Sequence, residues 1–536
     1  MSDNKKFLKG ALTLGTAGII SKIMGFAYRI ALPRIIGAEG VGIYQLAYPM
    51  YTILLVISTS GIPIALAKLI SKEHAKKNYK KVYQIFEVCK KLNFILGLLL
   101  SIVMLACSKI IIEIFSWDPR AVYSVAALSP AVFIVSLISA YRGFFQGLQN
   151  MKPTAYSQVI EQFFRITAMI LLVNLLLPYG VEYAAAAATS GAVFGGAGAL
   201  IFLKLLYLKK QDKILLKFKQ QQIKKYDFKK NSLKILSLAI PITFGALITP
   251  LMGFVDAAIV PSRLKAGGFL NATSLYGHLS GMAMVLVHFP TIITLALSTS
   301  LVPAVSEAFA LNDEKLIKSR AEIALRITIL IALPSAVGLF LLSEPLSAVI
   351  FGTPAAAVPL NFLAWGVIFI ALKQTTSAML QGLGRVKVPA KNLFIGAVIN
   401  AVINYTLTAH PAFGIRGAAL GTVTGFMTAS FLNLIYVKKW TEFNVDFNKF
   451  FLKPIFSVLI MSAAVKIVQK ITLFFLADYS LFKQQLISLS TSVFAGIIIY
   501  SAALILVKEI KYDDLVLIPV IGPKTAALLR KYKLIS

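Results

Sequence analysis

Residues Gly10–Pro33 read GALTLGTAGIISKIMGFAYRIALP. The run is long enough to cross a bilayer as a helix, yet Lys22 and Arg29 stand in its inner half. An ionised side chain facing lipid is costly, so such residues face a wet cavity, a partner charge or the headgroup interface. Two turns apart, both cations lie on one helical face. They line a cleft that meets an anionic cargo, snorkel to headgroups, or serve structural pairing.

The surrounding composition is that of an all-α polytopic membrane protein. Of 536 residues, 58% are hydrophobic and only 14% charged, and the charges cluster between long apolar runs. The formal net charge of +32 resides in short Lys-rich segments between spans. That is the pattern of topology signals and of contacts with anionic lipids, not of a folded basic platform for nucleic acid. The apolar run after Lys9 is too long for a cleavable signal peptide and has no small-residue cleavage site. Cys89 and Cys107, about 27 Å apart along one helix and its lead-in, cannot pair. A Cys/His metal cluster, a Walker A sequence and a Gly-x-Ser-x-Gly elbow are all missing, so neither a metal, an ATP-driven pump nor an enzyme is expected. His278 and His288 lack ligand spacing and read as packed or interfacial residues.

A length of about 20 apolar residues per span places helices near 8–33, 41–70, 92–115, 121–146, 155–178 and 182–207. After a basic connector, further spans lie near 235–261, 278–306, 321–350, 358–382, 390–412 and 415–437, and a last pair near 453–476 and 484–507. The total is about fourteen spans. The expected domains are an N-lobe 1–207, a basic cytoplasmic linker 208–234, a C-lobe 235–437, a helix pair 438–507 and a cytoplasmic tail 508–536. Lys and Arg concentrate on the side that holds the N-terminus, the 71–91 loop and the linker, which puts both termini in the cytoplasm. In the tail, Ile518–Ala526 is similar to a helix-hairpin-helix motif with Val520 in place of its first glycine, and reads as an amphipathic helix on the membrane surface.

The two sets of six spans echo each other. Met24-Gly25-Phe26 with Pro33 recurs as Met252-Gly253-Phe254 with Pro261, and Phe145-Gln146-Gly147-Leu148 recurs as Leu380-Gln381-Gly382-Leu383. Ile62-Pro63 is matched to Val302-Pro303. An even number of spans per unit makes these parallel repeats, with a site expected between them near mid-membrane.

Six plus six spans with these motifs resemble the exporter superfamily of multidrug MATE transporters, polysaccharide flippases and MurJ lipid II flippases. The extra C-terminal pair, Ser21-Lys22-Ile23-Met24-Gly25-Phe26, and Gly37-Ala38-Glu39-Gly40-Val41-Gly42-Ile43-Tyr44-Gln45 resemble the branch of stage V sporulation protein B and YtgP. The resemblance implies a V-shaped, two-lobed transporter in the bacterial plasma membrane that flips an undecaprenyl-diphosphate-linked saccharide, with lipid II as cargo. The MurJ pattern Ser-Arg-x-x-Gly-x-x-Arg is altered here: Lys22 stands at the first basic position, Tyr28 at the second, and Arg29 follows one residue later. Tyr51 to Gly61 of the second span lacks the arginine expected by that likeness.

The substrate-binding candidates are Lys22, Arg29, Arg142 and Arg165. Through the repeat, Arg29 falls on Ala257, Arg142 on Ser377 and Arg165 on Asn400, so the basic charge belongs to the first half. Arg142 either clamps phosphate or sits at the cytoplasmic rim. Glu161 and Arg165, one turn apart, form a static pair or a switch that phosphate opens. Asp256 either helps couple transport to Na⁺, H⁺ or the membrane potential or packs helices, with Lys373 as its possible partner. Pro33, Pro63, Pro261 and Pro303 are hinges or static kinks. Besides the lipid-linked glycan and anionic lipids, cell-wall synthesis proteins are candidate partners. Two other functions compete with flipping: cation-coupled drug extrusion, which predicts an acidic aromatic cleft, and a non-transporting scaffold in cell-wall or spore-envelope assembly.

Overall fold

The computed structural model describes residues 2–215, 228–441, 452–507 and 509, and the regular elements among them are all helices. The tail motif at 518–526 and the central part of the basic linker lie outside the described residues. By contact the chain divides into two compact units, Met1–Lys265 with Leu270–Gly277, and Ala266–Phe269 with His278–Ser536. The first contains α1 (Ser2–Thr59), α2 (Gly61–Ala75), α3 (Tyr79–Ala106), α4 (Ser108–Ile114), α5 (Ala121–Gly147), α6 (Lys152–Leu176), α7 (Val181–Leu215), nearly all of α8 (Phe228–Ala266), and α9 (Ala272–Tyr276). The second contains α10 (Met284–Ala310), α11 (Glu314–Leu341), α12 (Ser343–Phe351), α13 (Ala357–Leu363), α14 (Gly366–Gly382), α15 (Lys387–Leu407), α16 (Ile415–Thr441), α17 (Lys453–Phe475) and α18 (Leu481–Leu506).

This division differs from a boundary at the linker 208–234. The seventh span, α8, packs with the first unit because specific groups hold it there. The Trp117 indole donates to the carbonyl of Ala257 at 2.7 Å, Lys265 donates to that of Ser116 at 2.7 Å, and the Phe115 and Phe254 rings meet edge to face. The unit of sequence repetition and the unit of compact packing are therefore not the same.

Among the described residues, ten helices are long and apolar enough to cross a membrane, or up to twelve if each of two bent pairs is one span. Fourteen is not what length and hydropathy return. One cause is that the 63-residue stretch Thr13–Ala75 contains both of the first two expected spans. Another is that α15, most of the expected eleventh span, is too polar to qualify on those criteria.

The breaks do not fall at the prolines proposed as hinges. Pro33 lies within helical backbone, and α1 kinks instead at Gly37, whose φ of 66° suits only a residue without a Cβ. In α8 the 48° bend lies between Leu247 and Pro250, where Pro250 lacks the N–H that would bond back, while Pro261 lies in the straight run beyond. Pro63 sits in the first turn of α2, where proline is tolerated, and Pro303 is inside α10.

The repeat is written into the backbone. Asn78 caps α3 by accepting from the Lys81 amide, and Asp313 caps α11 by accepting from that of Leu316. Each cap follows a left-handed residue, Lys77 with φ 55° and Asn312 with φ 52°. Gln149 and Gly384, after the repeated Gln-Gly-Leu motif, are left-handed too, with φ of 56° and 74°. A Cβ on Gly147 would lie 2.7 Å from Ile70 Cβ and 3.1 Å from the Ala67 carbonyl oxygen; one on Gly382 would lie 2.7 Å from Val305 Cβ and 3.0 Å from the Val302 oxygen. Every one of these pairs keeps the same sequence offset. That offset matches Ala67 to Val302 and Pro63 to Ser298, so Pro63 and Pro303 are not equivalent. Both lie in apolar runs that can slide past one another without disturbing hydropathy, and the glycine contacts, with the caps and left-handed turns, select the register.

Outside these packed seams the surface is apolar. Leu171, Phe244 and Phe494 are 65%, 68% and 68% exposed, as expected of side chains that face lipid. In the second unit the last helix pair is tied down by charge: the buried Glu509 carboxylate lies 3.0 Å from Arg326 of α11 and 3.5 Å from Lys453 of α17. The Tyr500 hydroxyl adds a bond to the Leu330 carbonyl at 3.0 Å.

Replacing Gly147 or Gly382 by Val should destabilise the helix pairs by about 1–3 kcal/mol through overpacking, read as a lower thermal unfolding temperature in detergent. Gly245→Ala, where a Cβ meets nothing within 4 Å, should leave that temperature unchanged or raise it.

Candidate functional site

The site grows from one face of α6. Ser157, Glu161 and Arg165 follow at one-turn intervals and so project together. The neighbouring face is closed by α7: a Cβ on Gly195 would lie 2.9 Å from Arg165 Cβ, and one on Gly191 would lie 2.8 Å from the Arg165 carbonyl oxygen. Small residues thus bring the two backbones together.

Glu161 accepts from two guanidinium groups, Arg142 of α5 at 2.9 Å and Arg165 at 3.0 Å. Arg142 also donates through Nε to the Ser157 hydroxyl at 3.0 Å, and Ser157 donates to the Thr154 carbonyl at 2.8 Å. The three charged side chains are 13% to 18% exposed, so one carboxylate faces two cations, a net excess of one positive charge, in a largely dry setting.

Arg29 adds a third guanidinium. It is half-buried and has no carboxylate partner among the described residues; tyrosines surround it instead. Tyr28 and Tyr48 each lie near both Arg29 and Arg165. The Tyr28 and Tyr44 hydroxyls are 2.7 Å apart, and the ring centroids of Tyr44 and Tyr48 and of Tyr48 and Tyr51 are 5.0 and 5.6 Å apart. Several buried polar atoms of the same helices have no partner among the described residues: Ser21 Oγ, Tyr51 Oη, Gln158 Oε1, Gln162 Oε1 and Arg165 Nε. Such atoms cost free energy unless a ligand or water meets them. The result is a cationic, hydroxyl-lined site with spare donors and acceptors, suited to a polyanion bearing hydroxyls.

The second unit holds the neutral counterpart. At the same offset, Arg142, Ser157, Glu161 and Arg165 correspond to Ser377, Asn392, Gly396 and Asn400. There Asn433 donates to Ser377 at 3.1 Å and accepts from Asn392 at 2.9 Å, an uncharged network. A Cβ on Gly421 would lie 3.0 Å from Asn400 Oδ1, as one on Gly191 would touch Arg165.

The profile of a family described as "Polysaccharide biosynthesis protein" matches residues 7–309, and the MatE profile matches residues 241–406. The chain belongs to the polysaccharide biosynthesis protein family. Stage V sporulation protein B of Bacillus subtilis (strain 168) is 32% identical over 518 residues, covering 96% of this chain and 98% of that protein. Lipid II flippase MurJ of the same organism is 28% identical over 496 residues, covering 88% and 90%. A solved structure of lipid II flippase MurJ in an inward closed conformation aligns with a TM-score of 0.69 at 18% identity, over 94% of this chain and 100% of that one. An inward-facing multidrug MATE family transporter aligns with a TM-score of 0.64 at 16% identity, over 81% and 98%. At these identities the structures establish a shared MATE-like fold. Some of these relatives are named as flippases or transporters, and the many apolar helices of this chain make it, like them, a multi-pass membrane protein.

Of the sequence-derived candidates, the structure brings Arg142, Glu161 and Arg165 into one ion-pair cluster and places Arg29 beside it through the tyrosines. Lys22 is exposed, and neither a hydrogen bond nor an ion pair joins it to that cluster. Asp256 and Lys373 fall in different units; Lys373 lies 5.7 Å from the centre of the Phe426 ring. The tyrosine ladder escaped sequence reading. Its signal is present in Tyr44, Tyr48 and Tyr51, which share one face of an apolar span.

A second polar cluster explains the Gly37–Gln45 motif. Glu39 accepts from Arg120 at 2.5 Å, Arg120 also donates to Asp118 at 2.8 Å, and the Thr273 hydroxyl donates to Asp118 at 3.1 Å. Glycine is needed at position 40, where a Cβ would lie 2.9 Å from Val181. Burial works to raise the pKa of Asp118, but hydrogen bonds from Arg120 and Thr273 outweigh it and hold the carboxyl below its usual value.

Glu161→Gln should lower stability by about 3–5 kcal/mol, since it leaves two buried guanidiniums uncompensated. Arg142→Gln should cost less, because Arg165 still balances Glu161; thermal unfolding of both variants checks the order. For Asp118 the depressed carboxyl contributes stability above its unfolded pKa and loses it as pH falls through the folded value. Asp118→Asn should therefore lower the unfolding temperature near neutral pH, with the difference from wild type closing below about pH 4.

Proposed function

We propose that the chain is a flippase that moves an undecaprenyl-diphosphate-linked saccharide, lipid II in the first instance, from the inner to the outer leaflet of the bacterial plasma membrane by alternating access. The observation that carries this reading is the one-sided charge. Arg142 and Arg165 share Glu161, Arg29 stands nearby with no carboxylate partner among the described residues, and the second unit has neutral residues at the positions equivalent to Arg142 and Arg165. A diphosphate needs a local excess of guanidinium, whereas polar glue between helices gives no reason to favour one half. The tyrosine hydroxyls and the orphaned Gln and Ser atoms suit sugar hydroxyls near the phosphates. Relatives named for lipid II flipping add to this. A cationic drug would be repelled by the same excess.

In this reading both termini face the cytoplasm and the headgroup enters from that side. Phosphate competes with Glu161 for Arg165, so cargo biases the equilibrium only where that exchange is better satisfied in one conformation than in the other. Asp256 is the candidate for coupling to Na⁺, H⁺ or the membrane potential, with Lys373 as a cationic candidate in the second unit.

The test is translocation of labelled lipid II by the purified chain in vesicles, with and without ion gradients. Arg29→Gln and Arg165→Gln should each slow it by about tenfold or more, the equivalent of one charge-assisted hydrogen bond. Translocation no faster than in protein-free vesicles would overturn the proposal.

A further inference from the structure

A groove of about 740 Å³ opens on the first unit among α3, α5, α7 and the start of α8. Its apolar wall includes Phe94, Ile95 and Leu137, and Lys90, Lys91 and Lys204 line its polar edge. None of the arginines of the candidate site lines it. Lys90 is paired with Glu87 at 2.6 Å, whereas Lys91 and Lys204 are exposed and lack a carboxylate partner among the described residues. The lysines stand in the first half of α3 and the second half of α7, next to the basic segments 71–91 and 208–234.

The repeat shows what the same surface holds in the other unit. The offset that matches α3 to α11 takes Lys91 to Arg326 and Ile95 to Leu330. There Arg326 binds the Glu509 carboxylate and the Leu330 carbonyl accepts from Tyr500, so the surface is covered by the apolar pair α17 and α18 with an acid at its end. In the first unit no described residue covers the corresponding face in this way: Phe94, Ile95 and Leu99 are 48%, 57% and 56% exposed.

We propose that this groove is a binding site for an anionic phospholipid of the inner leaflet, its phosphate held by Lys91 and Lys204 and its acyl chains laid along Phe94, Ile95 and Leu137. The ligand must be amphipathic, because a free phosphate would leave the apolar wall unfilled. It must be anionic, because two of three lysines lack a counter-charge; basic pockets between membrane helices on this side characteristically take such headgroups. The lipid here plays the part that α17, α18 and Glu509 play in the second unit.

The test uses the full-length chain in phosphatidylglycerol and phosphatidylcholine nanodiscs, released for native mass spectrometry to measure retained phosphatidylglycerol. The combined Lys90→Gln, Lys91→Gln, Lys204→Gln variant and the groove-filling Leu137→Trp variant should each reduce retention of the tightest-held lipid by about tenfold. Removing the same charge elsewhere, with Lys315→Gln, Lys318→Gln and Lys387→Gln, should leave it unchanged. Unaltered thermal unfolding temperatures show that the variants fold. Equal loss in the control variant, no effect of Leu137→Trp, or no retention by wild type would overturn the proposal. So would an Ile95→Cys photocrosslink to residues 208–234 or to a co-purified membrane protein in place of lipid.

Discussion

Two guanidinium groups held by one carboxylate inside a membrane protein is the constraint on which the first unit turns. Ions so placed are stable only if geometry is right on every side. Here α5 supplies Arg142, α6 supplies Glu161 and Arg165, and Ser157 fixes the tilt of Arg142. The glycines of α7 let its backbone close against α6 at Glu161 and Arg165. Close helix packing and the charged cluster are therefore one arrangement seen from two sides.

Much of this was legible in the sequence. Long apolar runs, cations at span depth and the recurrence of Gly25, Pro33 and Gly147 in a second half were enough for an all-helical duplicated transporter, and the mapping of Arg165 onto Asn400 agrees with the contacts of their facing glycines. The register of the second spans was not legible, because Ile62-Pro63 and Val302-Pro303 are alike in hydropathy, and it takes the contacts of Gly147 and Gly382 and the matching caps to distinguish alignments. Nor was the position of the breaks: proline marks where a helix can bend, but Gly37 and the Leu247–Pro250 step are where this one does. The grouping of α8 with the first unit depends on Trp117 and Lys265, which are remote from their partners in sequence. The tyrosines were hidden for a simpler reason: in an apolar span an aromatic ring counts as hydrophobic, and its hydroxyl carries no weight until a neighbouring cation is seen.

The duplication also serves as an internal control. Caps, left-handed turns and glycine contacts coincide between the halves, while charge does not. Features common to both halves are requirements of the fold. Features confined to one half, the arginine cluster in the first and the Arg326–Glu509 anchor in the second, are where the halves differ in task.

Gly37 divides α1 into two arms, and the arms are pinned to each other by the Tyr28–Tyr44 hydroxyl contact. Such a kinked helix behaves as a pair of calipers. Its opening is governed by the torsions of one residue that has no side chain to restrain them, and one jaw carries Arg29 while the other carries Tyr44, Tyr48 and Tyr51. A few degrees at the joint change the gap between jaws by an amount that grows with distance from it. The spacing between a guanidinium and a row of phenols is thus set remotely, by a peptide unit that touches neither.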